Sequence, residues 1–220
     1  MSFELDHVFV CCSPGGPEAA SLARLGLTEG SANTHPGQGT ASRRFFFGNA
    51  YLELFWVADP EEAQGERTRP TRLWERWSKR QAGACPFGVI LRPTAGARDR
   101  NPPFASWSYQ PQYMPPGLAI EIATGTSLGE PELFYIPFAR RPDAIGREPL
   151  THATGFREIS AARVGLPAPG TLSRAARQAE AAGVVSFVTE AEYLMTLGFD
   201  GESAGKAADL RPEIPLVLRW

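Results

Sequence analysis

The 220-residue sequence has little cysteine and almost no net charge. Its three cysteines are an odd number, so a disulfide framework is not expected. Cys11 and Cys12 are adjacent in a predicted strand, point to opposite faces and are typical of small core residues. A formal net charge of −2 gives no electrostatic argument for binding nucleic acid or an anionic membrane.

Long apolar runs and common catalytic signatures are also missing. No uncharged stretch approaches the roughly 18 residues of a membrane-spanning helix. Glu4, Asp6 and His7 interrupt the first apolar run, which argues against a signal peptide, so the cytoplasm is the expected location. There is no phosphate-binding Gly-rich loop, Gly-x-Ser-x-Gly elbow, Cys-x-x-Cys pair or His-Glu-x-x-His motif.

Two ionisable residues do stand out, because they lie inside apolar runs typical of strands. His7 lies in residues 3–10 and Glu53 in residues 50–57. A carboxylate in the middle of such a strand is costly unless something pairs with it. The partner could be an arginine, a proton, or a metal ion that His7 helps to hold.

The order of elements predicts three similar units. Residues 1–60 predict β-α-β-β-β, with a short helix between Pro17 and Gly26, a strand near residues 27–29, a loop at 33–40 and a final hairpin around residues 48–49. Residues 59–83 are charged and end in a predicted helix. A second unit, residues 85–140, has a degenerate helix and strands near 87–92, 106–110, 118–123 and 133–138. A third, residues 150–220, has a strand near 156–166, a helix near 171–182 and strands near 184–188, 193–199 and 214–220.

The first unit carries a recognisable set of segments. Leu5-Asp6-His7-Val8-Phe9-Val10 opens it, and the stretches 35–43 and 51–57 follow. With these segments the chain resembles the glyoxalase-like domains of the vicinal oxygen chelate superfamily, which includes glyoxalases, bleomycin-resistance proteins and extradiol dioxygenases. The resemblance implies an α+β fold in which repeated βαβββ modules form a half-open barrel around a cleft. Residues 1–140 would form this domain and residues 150–220 a third βαβββ-like module.

The resemblance also implies a function. It favours a small-molecule enzyme with divalent-metal-assisted lyase, isomerase or dioxygenase chemistry on vicinal oxygens. His7 and Glu53 match the metal-ligand positions, and Zn²⁺, Ni²⁺, Mn²⁺ or Fe²⁺ suits such a pair, with no other cofactor. The alternatives are a metal-free protein that sequesters a small ligand, as bleomycin-resistance proteins do, and a scaffold with a vestigial pocket. A homodimer is expected, because such modules often pair across chains and a third unit has an exposed edge.

The second unit departs from the metalloenzyme pattern. It should contribute at least one further ligand, but the matching positions near Gly88 and in residues 133–138 offer none. Glu121 is the strand carboxylate that remains, and either it or a water molecule is the candidate general base. The hypothesis requires that His7 and Glu53 face one cleft, on the side shared by Leu5 and Phe9 in one strand and by Tyr51 and Phe55 in the other.

Other residues are candidates for the pocket. His35 lies in a Gly-rich loop at the expected cleft mouth, where it contacts substrate or is only a turn residue. Arg43 and Arg44 alternate faces, so one of them reaches the cleft, and we assign that role to Arg43. Aromatic residues in the second unit are either pocket walls or ordinary core, and the set that would share one face is Trp107, Tyr109 and Tyr113.

Overall fold

The computed structural model describes residues 2–167 and 172–220. The predicted start of the third-unit helix at residue 171 lies outside this range. Within it, no helix is both long and apolar enough to cross a membrane.

The first unit has the predicted order of elements. It consists of β1 (Phe3–Cys11), α1 (Ala19–Leu25), β2 (Asn33–His35), β3 (Thr40–Phe46) and β4 (Tyr51–Val57). Helix α1 ends at Gly26, whose φ of 102° is left-handed and whose amide donates back to the last turn, so glycine is favoured there. The strand expected near residues 27–29 is absent, and β2 forms instead within the predicted loop.

The second unit follows a helical connection. That connection contains α2 (Pro60–Ala63), a 3-10 turn and α3 (Leu73–Ser78). Four strands follow, and they are β5 (Phe87–Pro93), β6 (Ser106–Tyr109), β7 (Ile120–Ala123) and β8 (Glu132–Tyr135). Residues 94–105, all of them described, contain no helix, as expected for a degenerate unit.

These strands form one curled half-barrel sheet in the order β2-β3-β4-β1-β5-β8-β7-β6. The central pair β1 and β5 is antiparallel, and each of the two first strands is parallel to the last strand of its own unit. The pairings Phe9↔Glu53 and Ile90↔Phe134 correspond, so the two units repeat with an offset of 81 residues. The fold is the predicted α+β half-barrel.

The remaining chain forms a second sheet. After α4 (Pro142–Ile145) come the following elements: β9 (Ile159–Leu166), α5 (Arg174–Ala181), β10 (Ser186–Thr189), β11 (Leu194–Phe199), β12 (Ala207–Asp209) and β13 (Leu216–Arg219). Their order is β10-β9-β11-β13-β12, with β9 and β11 antiparallel at the centre. Strand β12 was not predicted. The assignment of residues 150–220 to one further module stays a prediction.

The second sheet covers one face of the first. Val8 and Val10 of β1 belong to the same buried cluster as Val164 and Leu197 of the second sheet. Phe199 packs between the two sheets, with its ring centroid 4.8 Å from that of Phe47 and the two rings tilted. Because successive strand residues point to opposite faces, this packing leaves the other face of the half-barrel to form the cleft.

Candidate functional site

A small cavity lies in the concave face of the half-barrel. Its volume is about 130 Å³, and His7, Phe9, Tyr51, Glu53 and Phe55 line it. An engineered cavity of about 150 Å³ in another protein binds benzene, so this cavity is the size of one aromatic ring. No residue after Ile136 lines it among those described, so the second sheet takes no part in the cleft.

His7 and Glu53 meet in this cavity, as the sequence predicted. His7 Nε2 lies 3.5 Å from Glu53 Oε2, and each residue is 6% exposed. The contact is longer than an ordinary hydrogen bond of about 2.7–3.2 Å. The imidazole stacks on Tyr51 with centroids 4.1 Å apart. Both residues therefore present their polar atoms to the same point of the cavity.

Asp6 and Arg92 fix the other side of His7. His7 Nδ1 donates to Asp6 Oδ2 at 2.6 Å, and Arg92 donates to Asp6 Oδ1 at 3.1 Å. The same guanidinium donates to Glu4 Oε1 at 2.9 Å. This arrangement sets the orientation of the imidazole and keeps Nε2 turned toward the cavity.

A β-bulge makes this arrangement possible. In the pairing with β5, Leu5 is opposite Leu91 and His7 is opposite Ile90, so Asp6 is an extra residue. Leu5 consequently packs against the core cluster between the sheets, on the face opposite His7. The expectation that Leu5 shares the cleft face with His7 was wrong, because the bulge reverses the alternation at this point.

Electrostatics shift the pKa values of the two cavity residues in opposite directions. Burial alone would raise the pKa of the Glu53 carboxyl, but the hydrogen bond and charge of His7 lower it to about 2. Burial alone would lower the pKa of His7, but the hydrogen bonds to Asp6 and Glu53 raise it above its ordinary value. The pair is thus stabilised as imidazolium and carboxylate.

Apolar residues replace ligands at the matching positions of the second unit. The 81-residue offset that relates Glu53 to Phe134 also relates His7 to Gly88. The ring of Phe9 fills the space next to Gly88, and Phe134 and Ile90 line the cavity. At these matching positions the second unit therefore offers an apolar wall and no metal-ligating side chain.

The donor set does not fit a resident metal ion. A catalytic zinc ion is typically held by three protein ligands. Within residues 2–167 and 172–220 no group of three or more His, Cys, Asp or Glu side chains could hold one. His7 and Glu53 supply two donors, and the second unit adds none. Their role as metal ligands stays a prediction.

His35 lines the cavity through a network of neutral groups. Its Nε2 faces Asn33 Nδ2 at 2.8 Å, and its Nδ1 faces Thr40 Oγ1 at 2.9 Å. Gln38 donates to the same Thr40 oxygen at 2.8 Å. Burial is the largest effect on His35 and lowers its pKa, so its imidazole is a neutral polar contact at the cavity wall. Its ring lies 4.7 Å from that of Tyr113.

Two predicted pocket residues lie outside the cleft. Arg43 pairs with Leu54 in the sheet and forms an ion pair with Glu29 at 2.5 Å on the opposite face. Arg44, which pairs with Glu53, is on the cleft side instead. Trp107 packs beside Tyr109 with ring centroids 5.8 Å apart, but only Tyr109 and Tyr113 line the cavity.

Glu121 does not reach the cavity. It pairs with Tyr135, whereas its neighbour Ile122 pairs with Phe134, so Glu121 is on the face opposite the cleft. Its carboxylate accepts hydrogen bonds from Ser106 and Ser108. The expected role as general base was wrong for this geometric reason.

Several residues that shape the site were missed in the sequence. Asp6, which orients His7, is adjacent to it, and Arg92 lies near the end of β5, so a charged residue inside each of these two apolar strands was the available signal. Gln38 and Met114 carried no comparable signal, because each lies in a loop whose position only the fold determines.

A curled α+β half-barrel with a ring-sized, mostly apolar cleft has the form in which proteins commonly hold small molecules. Residues 5–103 match the model of the family described as Glyoxalase-like domain. This match agrees with the resemblance to glyoxalase-like domains that the sequence predicted for the first part of the chain.

Solved structures resemble the chain at low sequence identity. A hypothetical protein from Staphylococcus aureus is 8% identical with a TM-score of 0.54, over 99% of this chain and 98% of that chain. It shares the fold. A methylmalonyl-CoA epimerase from Streptomyces coelicolor is 14% identical with a TM-score of 0.42, over 64% of this chain and 98% of that chain. No curated protein matches the sequence.

Proposed function

We propose that this protein is an enzyme that moves a proton on a small, partly aromatic molecule bound in the cleft. The observation that carries the proposal is the meeting of His7 Nε2 and Glu53 Oε2, 3.5 Å apart, in an otherwise largely apolar cavity. Titratable pairs whose surroundings drive their pKa values apart are the usual acid and base of such sites.

The roles follow from the two protonation states. With a ligand that carries a carbonyl oxygen beside a C–H bond, Glu53 accepts the carbon-bound proton. The Nε2–H of His7 donates to the carbonyl oxygen, so the product of this step is an enol. Return of a proton to carbon completes an isomerisation or exchange. Asp6 contacts His7, and Arg92 contacts Asp6. Both therefore act as positioning residues.

Solvent exchange tests this proposal without knowledge of the natural substrate. Phenylpyruvate, which has one ring and a C–H bond beside a carbonyl, is incubated in D₂O and followed by proton NMR. We expect exchange above the buffer rate, lowered about 100-fold or more in Glu53→Gln and in His7→Gln. Glu121→Gln is the matched control, because that carboxylate lies on the opposite face of the sheet. Exchange that survives Glu53→Gln would overturn the assignment.

A second function, sequestration of a ligand without chemistry, is favoured by one observation. A carboxylate with a pKa of about 2 is a weak base, which suits a fixed polar anchor better than a proton acceptor. Saturable binding of ring-sized molecules without any deuterium exchange would support this function over the first. Calorimetry with phenylpyruvate and other ring-sized molecules supplies that measurement.

A bound divalent metal is the remaining expectation from the sequence. Elemental analysis of protein purified without chelator or affinity tag tests it, together with His7→Ala and Glu53→Gln. Because two donors fall short of a full ligand set, we expect well under one equivalent of metal. One equivalent, lost in both variants, would restore the metal-assisted mechanism. The cytoplasmic location and the homodimer stay predictions.

A further inference from the structure

A second, larger depression adjoins the cleft. Its volume is about 560 Å³, and it shares Tyr51 and Ile136 with the cavity described above. Its other lining residues come from Asp6 of β1, from the end of β3 and from the segment around α4. The two cavities therefore adjoin at Tyr51 and Ile136, and we call the larger depression the arginine groove.

Three arginines line the arginine groove, and they are Arg44, Arg140 and Arg147. Among the residues that the structure describes, none of the three forms an ion pair. The guanidinium of Arg44 donates only to the backbone oxygen and hydroxyl of Ser31, both neutral. Arg140 and Arg147 are exposed. Nearby arginines such as Arg141, by contrast, are neutralised by carboxylates.

The two carboxylates of the arginine groove are already engaged. Glu148 accepts hydrogen bonds from the backbone and the hydroxyl of Ser31 at 2.9 and 2.6 Å. Asp6 is held by Arg92 and by His7. Because Ser31 is neutral, Glu148 keeps its negative charge, but the three arginines without ion-pair partners outnumber it, so the net charge of the groove is positive.

Aromatic rings complete the arginine groove. The guanidinium of Arg44 lies over Phe46 and Tyr51, with its central carbon 5.0 and 5.9 Å from the ring centroids. This stacking holds the arginine in place, and with Nε and Nη2 donating to Ser31 the remaining nitrogen, Nη1, is left for a carboxylate or phosphate oxygen. Apolar walls with a cationic end suit an elongated molecule that has an anionic group.

We propose that the arginine groove binds the carboxylate or phosphate of the same small molecule whose other end enters the cleft. The inference rests on the proposed function in that it uses the same ligand. The cavity of about 130 Å³ holds the ring-sized end, and the groove of about 560 Å³ holds the anionic end. The substrate class is thus a compact aromatic or branched molecule with an acidic tail.

A matched pair of probes tests this inference by calorimetry at low ionic strength. 4-Phenylbutyrate carries the ring and the charge, 4-phenyl-1-butanol carries the ring alone, and hexanoate carries the charge without the ring. We expect the phenylbutyrate to bind about tenfold or more tightly than the alcohol, because hydrogen bonds to charged groups are the stronger ones. The double variant Arg140→Gln/Arg147→Gln should remove that difference.

Two control variants keep the outcomes distinguishable. Arg98→Gln/Arg174→Gln removes two exposed arginines outside the groove with the same change in net charge, and it should keep the preference for the anion. Met114→Trp narrows the cleft and should weaken binding of 4-phenyl-1-butanol. Equal affinities of phenylbutyrate and the alcohol would overturn the proposed role of the arginine groove, and so would a preference for the anion that survives Arg140→Gln/Arg147→Gln. Neither result would affect the ring-binding role of the cleft.

The remaining outcomes separate the two proposals. If hexanoate binds and loses affinity in Arg140→Gln/Arg147→Gln while the alcohol does not bind, the arginine groove stands and the ring-binding role of the cleft fails. If none of the three probes binds at millimolar concentration, both the groove and the ligand-binding role of the cleft are wrong.

Discussion

The ring of Phe9 lies directly on the backbone of Gly88. A Cβ atom at Gly88 would come within 2.5 Å of Phe9 Cδ1 and Cζ, which real Cβ atoms do not tolerate. Gly88 is the counterpart of His7 in the second unit, so Phe9 occupies the space where a second ligand would stand. This contact explains why the second unit has no ligand at the position that matches His7.

Gly88→Ala should destabilise the protein by about 1–3 kcal/mol, because the added methyl group overpacks the Phe9 ring. Urea denaturation measures the loss. In a Phe9→Ala background the same substitution should cost less, since the obstructing ring is gone. An equal cost in both backgrounds would show that the two residues are not coupled.

The Glu53 carboxylate should make stability depend on acidic pH. Its pKa is lowered from 4.5 to about 2 in the folded protein, so its contribution is present above about pH 4.5 and is lost as pH falls toward 2. A pKa shift of this size contributes at most about 3 kcal/mol to the free energy of unfolding. Chemical denaturation at a series of pH values should therefore show the wild-type protein losing its advantage over Glu53→Gln across that window.

Histidine titration by NMR provides an independent check on the same pair. Glu53 is one of the groups that raise the pKa of His7, so Glu53→Gln should lower that pKa relative to the wild-type protein. The His7 contribution to stability is present below its ordinary value of 6.5 and is lost as pH rises through the raised pKa. An unchanged His7 titration in Glu53→Gln would contradict the pairing.

Arg92→Met should lower stability by about 3–5 kcal/mol, because it leaves the buried carboxylate of Asp6 without its cation. Arg76→Met is a matched comparison, since Arg76 is equally buried and pairs with Glu132 away from the cleft. Both variants should be destabilised in denaturation curves. Only Arg92→Met should alter the NMR titration of His7, and a change in both would mean that the effect is general loosening.

The three cysteines should be inert in the native protein. All are free and buried, and burial raises the pKa of Cys11 and Cys85 to about 12. Because the thiolate is the reactive form, a thiol reagent at pH 8 should label no cysteine in the folded chain and all of them in denaturant. Rapid labelling of the native protein would contradict the placement of these residues in the core.

Much of the fold could be predicted, because strands can be recognised from their local pattern of apolar and polar residues. The runs that hold His7 and Glu53 alternate with a period of two, so their shared faces with Phe9, Tyr51 and Phe55 followed from parity. Gly26 ended the first helix as expected. Short strands such as β2 and β12 escaped prediction, because three residues in a polar context carry no periodicity.

The candidate site was predicted only in part, since register and bulges are non-local properties. Nothing in the local sequence says that Arg44 rather than Arg43 stands opposite Glu53, or that Glu121 shares a face with Tyr135. Both depend on how strands distant in sequence align.

The sequence alone determined the repeated units, the family resemblance and the two ionisable residues inside apolar strands, because these are local patterns of residue type. Only the tertiary structure decided what surrounds them. The bulge at Asp6 turns His7 away from Leu5, and the second sheet covers the face opposite the cleft. The close contact of Phe9 with Gly88 closes the other half of the site, since packing depends on which side chains the fold brings together.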